Sequence, residues 1–201
     1  MELGKILTEF TTQQRRKALE KALLSKQPVL IELALQVADD IKGLETTILK
    51  HKVKYGELEY VDKILQSKMP AQVELQECIE IALKNRDKAM LMFLFEKGAK
   101  KTIAMRNAFK KSNMEDVLLL IEAGCECDYN EAIKDTATGA SGKAIELLTW
   151  LMDNAPKNTI NIEKFNCVIR FSYTYGRSHI AKHMLNCREL EKYQAKFITM
   201  G

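Results

Sequence analysis

A recurrence constrains this chain more than any single residue does. A polar turn runs into a helix-compatible stretch whose last turn carries two adjacent large apolar residues. The stretches are YGELEYVDKIL (55–65), NRDKAMLMFLFEKG (85–98), KSNMEDVLLLIEAG (111–124), KAIELLTWLMDNA (143–155) and YGRSHIAKHML (175–185). Their pairs are Ile64/Leu65, Phe93/Leu94, Leu119/Leu120, Trp150/Leu151 and Met184/Leu185, with a weaker copy ending at Leu33/Ala34. The second members fall at 34, 65, 94, 120, 151 and 185, steps of 31, 29, 26, 31 and 34. A step of roughly 30 residues is too long for a heptad and suits a unit of two helices and two turns. The first helix of each unit is expected about twelve residues before the pair. The candidates are Ala18–Ser25, Thr46–Lys54, Leu75–Lys84, Ile103–Lys111, Asn130–Thr136 and Phe165–Thr174.

One such unit cannot stand alone. Ordering its backbone costs roughly 1–2 kcal/mol per residue, whereas each buried Leu contributes about 1.5–3 kcal/mol. Stacked units share a continuous core, so the expectation is an all-α solenoid of about six helix-turn-helix repeats. These span approximately 15–38, 44–69, 73–99, 102–125, 129–155 and 163–187. Residues 188–201 are read as a C-terminal capping helix, and 1–201 as one domain. Only nine Gly and three Pro are present, too few for the turns of a sheet-rich fold.

The second helices resemble those of ankyrin repeats. Phe95-Glu96-Lys97-Gly98-Ala99 and Ile121-Glu122-Ala123-Gly124-Cys125 match that family's Leu-rich second-helix ending. The segments beginning Tyr55-Gly56-Glu57 and Tyr175-Gly176-Arg177 match its mid-repeat turn. The resemblance covers roughly residues 15–187 and lacks the family's Thr-Pro-Leu-His signature. The 26-residue step leaves little room for a β-hairpin finger, so few or none are expected. Divergent arrays of this kind resemble those of bacterial host-directed effectors and large DNA viruses. The resemblance implies a protein-binding surface and no catalysis.

Several function classes lose support. With 46% hydrophobic and 29% charged residues, the chain is too apolar for disorder. Its longest apolar run, Ala89 to Phe95, is far short of the ~20 residues of a membrane span. No secretory or lipidation signal is read. The five cysteines (78, 125, 127, 167 and 187) form no even framework and are expected as free thiols in a reducing, cytoplasmic setting, or a host cytoplasm for a secreted effector or viral protein. A net charge of +4 permits acidic partners and does not favour nucleic acid. No cofactor and no small-molecule substrate are expected.

Three constellations have residue types that could carry a function. His179, His183 and Cys187 fall at i, i+4 and i+8, near one helix face, with ligand types suited to Zn²⁺; Cys125-Glu126-Cys127 is one residue too tight for the usual second pair. A metal protein or enzyme using that face is therefore an alternative, and an RNA or acidic-lipid binder is a second. Gly139-Ala140-Ser141-Gly142-Lys143 lacks the first Gly and the Ser/Thr of a phosphate loop and reads as an inter-helix loop. Aligning the units on Val53, Ala82, Ala108, Ala132 and Tyr173 and stepping two residues on gives a candidate binding ladder: Tyr55, Lys84, Lys110, Lys134 and Tyr175. Tyr supplies rigid contact area and Lys steers acidic partners. Basic clusters at Arg15-Arg16-Lys17 and Lys100-Lys101 read as solvated surface, and Met90, Met92 and Met105 as core filler.

Overall fold

The computed structural model describes residues 44–67, 70–139 and 142–198, together with Thr11, Gln14, Lys17 and Lys21. The expected first repeat and the Arg15-Arg16-Lys17 cluster lie largely outside the described residues. Backbone proximity divides the chain into two compact units, with the boundary between Ala99 and Lys100.

The first unit holds α1 (Leu44–Lys54), α2 (Leu58–Ser67), α3 (Gln72–Lys84) and α4 (Lys88–Glu96). α1 packs on α2, α3 on α4, and the two first helices, α1 and α3, on each other. The core stripe of α3 is Leu75, Cys78, Ile79, Ala82 and Leu83, the i, i+3, i+4, i+7, i+8 spacing of one helical face. The second unit holds α5 (Lys101–Lys111), α6 (Met114–Glu122), α7 (Tyr129–Thr138), α8 (Ala144–Asn154), β1 (Ile160–Asn161), α9 (Ile162–Thr174), α10 (Ser178–Glu189), α11 (Glu191–Gln194) and β2 (Phe197–Ile198). Here α5, α7 and α9 lie side by side, each against its own second helix, and α8 packs on α10. The described residues are thus mostly helical, with one small parallel sheet.

One turn geometry closes four of the five first helices among the described residues. After α3, Arg86 N–H donates to Leu83 O and Asp87 N–H to Ala82 O, both at 3.0 Å. The same i−3 and i−5 pair recurs at Gly56/Glu57, Ser112/Asn113 and Gly176/Arg177. This is the Schellman arrangement, which needs a left-handed residue just past the helix. Gly56 (φ 69°) and Gly176 (φ 72°) supply it without strain, while Arg86 (φ 56°) and Ser112 (φ 48°) bear a Cβ there. Gly98 and Gly124 end α4 and α6 in the same way. The next residue then opens the following helix: Asp87 accepts from Met90 N–H and Asn113 from Asp116 N–H.

Of the paired apolar residues, Ile64, Leu65, Leu94, Leu120 and Leu151 are buried in the core, while Phe93, Leu119 and Trp150 are half-buried. In α10 the register slips by one, so Met184 is buried and Leu185 half-buried. Met90 and Met105 are core residues; Met92 is 44% exposed, contrary to expectation, because it falls between the buried positions of α4.

The helical cap expected over 188–201 is corrected. α10 runs to Glu189, Leu190 turns extended (φ −70°, ψ 126°), and one helical turn, α11, leads into a strand. β2 pairs with β1 in parallel, Phe197 opposite Ile160 and Asn161 opposite Ile198. The reason is apolar: Phe197 packs edge-on to Phe165, ring centroids 5.0 Å apart, and Tyr193 is buried.

Candidate binding surface

The face made by α5, α7 and α9 is held by polar contacts between those helices. Asp135 on α7 is almost wholly buried, and its carboxylate takes Arg106 Nε at 3.3 Å and has Lys110 Nζ at 4.0 Å, both from α5. Asn130 on α7 donates to Thr159 O at 3.0 Å and accepts from Asn161 N–H at 2.8 Å, which fixes the entry to α9. A Cβ on Gly139 would overlap the Lys110 carbonyl oxygen and lie 3.0 Å from its Cα, so glycine lets the end of α7 approach α5. Arg177, in the turn between α9 and α10, donates through Nη1 to Ala137 O at 2.7 Å and to Gly139 O at 2.6 Å. These carbonyls belong to the one first helix that ends without a Schellman turn, so a side chain does the capping there.

Two open depressions flank α7. Between α7 and α9 lies a groove of about 540 Å³ with Cys167, Val168 and Phe171 on one wall and Glu131, Lys134 and Thr138 on the other. Val168 is buried, Cys167 is exposed, and Phe171 is 39% exposed with its ring 4.2 Å from that of Tyr175. Glu131 accepts from Lys134 Nζ at 2.9 Å. That hydrogen bond holds its carboxyl below the usual range against the opposing effect of burial, and Lys164 and Arg106 add to it. Between α5 and α7 a second cleft, of about 420 Å³, has Met105 and Phe109 at its base and Arg106, Glu126, Asp128 and Asp135 around it.

The expected ladder changes register. The carbonyls that take the i−5 bond belong to Lys52, Ala82, Ala108 and Ser172, so Val53 and Tyr173 each stand one residue late. In α7, Ala132, Ile133, Thr136 and Ala137 follow the N-cap Asp128 at the same intervals as Ala104, Met105, Ala108 and Phe109 follow Lys100. Thr136 is therefore the counterpart of Ala108, and Ala132 stands one turn early. Two residues on, the equivalent positions are Lys54, Lys84, Lys110, Thr138 and Thr174. Lys84 and Lys110 keep the place assigned to them. Tyr55 (45% exposed) and Tyr175 (65% exposed) lie one residue beyond it, in the turns, and Lys134 shares the register of Arg106. A small residue was the alignment signal, and a buried lysine at position 52 defeats that signal.

His183 and Cys187 meet, Nε2 3.6 Å from Sγ, while His179 is exposed. Thr149 Oγ1 lies 3.1 Å from the same Nε2 and donates its own proton to Ile145 O. With its proton so used, the threonine oxygen suits an Nε2–H imidazole, the tautomer in which Nε2 has no lone pair to offer a metal. Burial lowers the His183 pKa and raises that of Cys187. Among the described residues no three His, Cys, Asp or Glu gather as a metal set. All five cysteines are free thiols. Burial pushes Cys78 up to about 12 and Cys125 and Cys127 up to about 11, so these three stay protonated at neutral pH. In the loop from Gly139 to Lys143, Gly142 has open space around it and Gly139 is the constrained residue.

Sequence reasoning gave Phe171, Cys167, Arg177 and Gly139 no part in a binding surface. Phe171 carried a usable signal, since the α9 core stripe Phe165, Val168, Ile169, Ser172 leaves it off the buried face. Among the described residues no helix is long and apolar enough to cross a membrane. Comparison with protein-family models, with curated proteins and with solved structures finds no match for the chain.

Proposed function

We propose that this chain is a non-enzymatic protein-interaction module built from ankyrin-like helix pairs, two among the described residues of the first unit and three in the second. The paired turns and the Gly98-Ala99 and Gly124-Cys125 endings support the likeness. The observation that carries the functional reading is the α7–α9 groove. It is an open depression on the shared face of three first helices, with Phe171 left partly exposed at its wall. Exposed aromatic area beside fixed charges is the composition of a docking site for a protein segment. The Glu131–Lys134 pair at its edge gives a polar rim.

Phe171→Asp tests it. The substitution places a charge in the groove without touching the core stripe of α9. Immobilised wild-type chain is expected to retain a defined set of proteins from a cell lysate, and the variant to lose them while its circular dichroism is unchanged. Identical capture by both would remove the groove from the reading, and no specific capture by the wild type would remove the reading itself.

A further inference from the structure

The first unit carries a second feature, on the edge where its helices turn. The α1–α2 and α3–α4 turns are fastened side by side by Asn85, whose Nδ2 donates to Lys54 O at 2.7 Å. Lys54 and Lys84 occupy the same place in their helices, so the two side chains leave from equivalent positions on neighbouring, packed helices. Lysines at helix ends are usually explained by the carbonyls they cap. Here those carbonyls are already taken: Lys52 and Val53 by Glu57 and Gly56 N–H, Ala82 and Leu83 by Asp87 and Arg86 N–H, and Lys54 by Asn85.

Three other cations of the unit are matched. Lys50 pairs with Glu77, Lys52 with Glu57 at 2.7 Å, and Lys97 with Asp62 at 2.5 Å. Among the described residues, no carboxylate pairs with Lys54 or Lys84. Lys54 Nζ stands 5.7 Å from the centre of the exposed Tyr55 ring. The neighbouring acids are engaged, Glu57 by Lys52 and Asp87 by the Met90 N–H. Between the two lysine-bearing turns there is also a local cost. Arg86 holds a left-handed backbone (φ 56°) where the partner turn uses Gly56. That conformation is unfavourable for a residue with a Cβ, and such strain concentrates at functional sites.

We infer that this edge docks an acidic segment of a partner protein, with Lys54 and Lys84 as the cationic contacts and Tyr55 as the aromatic one. The inference rests on the reading of the chain as a protein-interaction module and concerns a surface other than the groove. An acidic peptide fits better than a nucleic acid. One exposed aromatic cannot form the stacking platform of single-strand binders, and so few phosphate contacts give little affinity.

The test uses the full chain and a fluorescein-labelled peptide of alternating Glu and Ser, read by anisotropy at low salt. The wild type is expected to bind, and the Lys54→Glu, Lys84→Glu double variant to bind about tenfold more weakly or worse, since it sets like charges against the peptide. A control with Lys157→Glu and Lys182→Glu, exposed residues of the other unit, makes the same change in net charge and is expected to leave binding nearly intact. Equal loss in both double variants would reduce the effect to net charge and overturn the inference. So would no binding by the wild type, or tighter binding of an oligouridylate of equal charge that the same reversal abolishes. Phe171→Asp, in the other unit, is expected to bind the peptide normally, so the groove and this edge fail or succeed separately.

Discussion

A methyl group on Gly139 would have to share space with the Lys110 carbonyl, and the obstacle is backbone on both sides. Neither partner can rotate away, so Gly139→Ala is expected to cost about 1–3 kcal/mol, the usual range for overpacking. Gly142→Ala, with nothing within 4 Å of its built Cβ, is expected to stay within about 0.5 kcal/mol of the wild type. Urea midpoints of the two variants separate the cases. Equal midpoints would mean that the α5–α7 approach is looser than described. Both glycines stood out in the sequence as one loop, and nothing local distinguishes them, because the distinction is made by a residue 29 positions away. Arg86 was equally opaque. A turn was legible there from Asn85 and Asp87, but not that an arginine would take the left-handed place. Relief of about 1–2 kcal/mol on Arg86→Gly is partly offset by the unfolded-state entropy of glycine, about 0.4–1 kcal/mol. A net gain of roughly 0.5–1 kcal/mol is therefore expected in thermal denaturation. A loss would show that the Arg86 side chain contributes more to the fold than its backbone strain removes.

The helices were most legible at their C-terminal ends. Lys54, Lys84, Lys111 and Thr174 close α1, α3, α5 and α9 as the pattern had it, since a polar turn interrupts the apolar period there. Their starts came out one to three residues late, because capping chemistry precedes the first apolar residue. In α3, for example, Glu74 accepts from Ala71 N–H at 2.9 Å before Leu75 enters the core. The α7 end breaks the rule, and Arg177 caps it from another turn. Hydrogen bonds from a charged donor contribute about 1.5–3 kcal/mol. Arg177→Ala is thus expected to lower stability by about that much and to speed hydrogen exchange in the last turn of α7. Arg177→Lys is expected to recover little, since an ammonium lacks the planar fork; full recovery would mean charge alone acts there. The α8–α10 contact adds a pH dependence. Burial holds the His183 pKa below its ordinary 6.5, so the unfolded chain takes a proton that the folded chain refuses. Stability from this contact is complete above the unfolded value and falls as pH drops through it toward the folded one. A urea midpoint that declines between neutral pH and about pH 5, less steeply in His183→Gln, is the expected signature.

For the molecule as a whole, a repeat count says nothing about how the repeats group. Periodicity sees helix pairs because each pair writes the same apolar code, while grouping depends on contacts that differ from pair to pair. The second unit gathers its distinctive contacts within itself: Asn130 to the 159–161 backbone, Arg177 to the end of α7, and Tyr193 Oη to Asp153 at 2.6 Å. Residues 100–201 expressed alone are therefore expected to give a helical spectrum and one cooperative thermal transition. The chain segment after α10 decides how stable that unit is. It buries Tyr193 and Phe197, runs Asn158, Thr159 and Ile160 N–H to the carbonyls of Ala195 and Lys196, and brings Lys196 to the Ala155 carbonyl past the end of α8. Two buried aromatic side chains at about 1.5–3 kcal/mol each make a contribution of several kcal/mol. That is a large share of the roughly 5–15 kcal/mol by which a domain is stable. A fragment ending at Glu189 is accordingly expected to melt well below the longer one or to lose cooperativity. If 100–189 melts with 100–201, the parallel β1–β2 pairing is ornamental to stability. If neither fragment is helical, the second unit depends on the first for its core, and the grouping drawn at Ala99 and Lys100 does not correspond to independent folding.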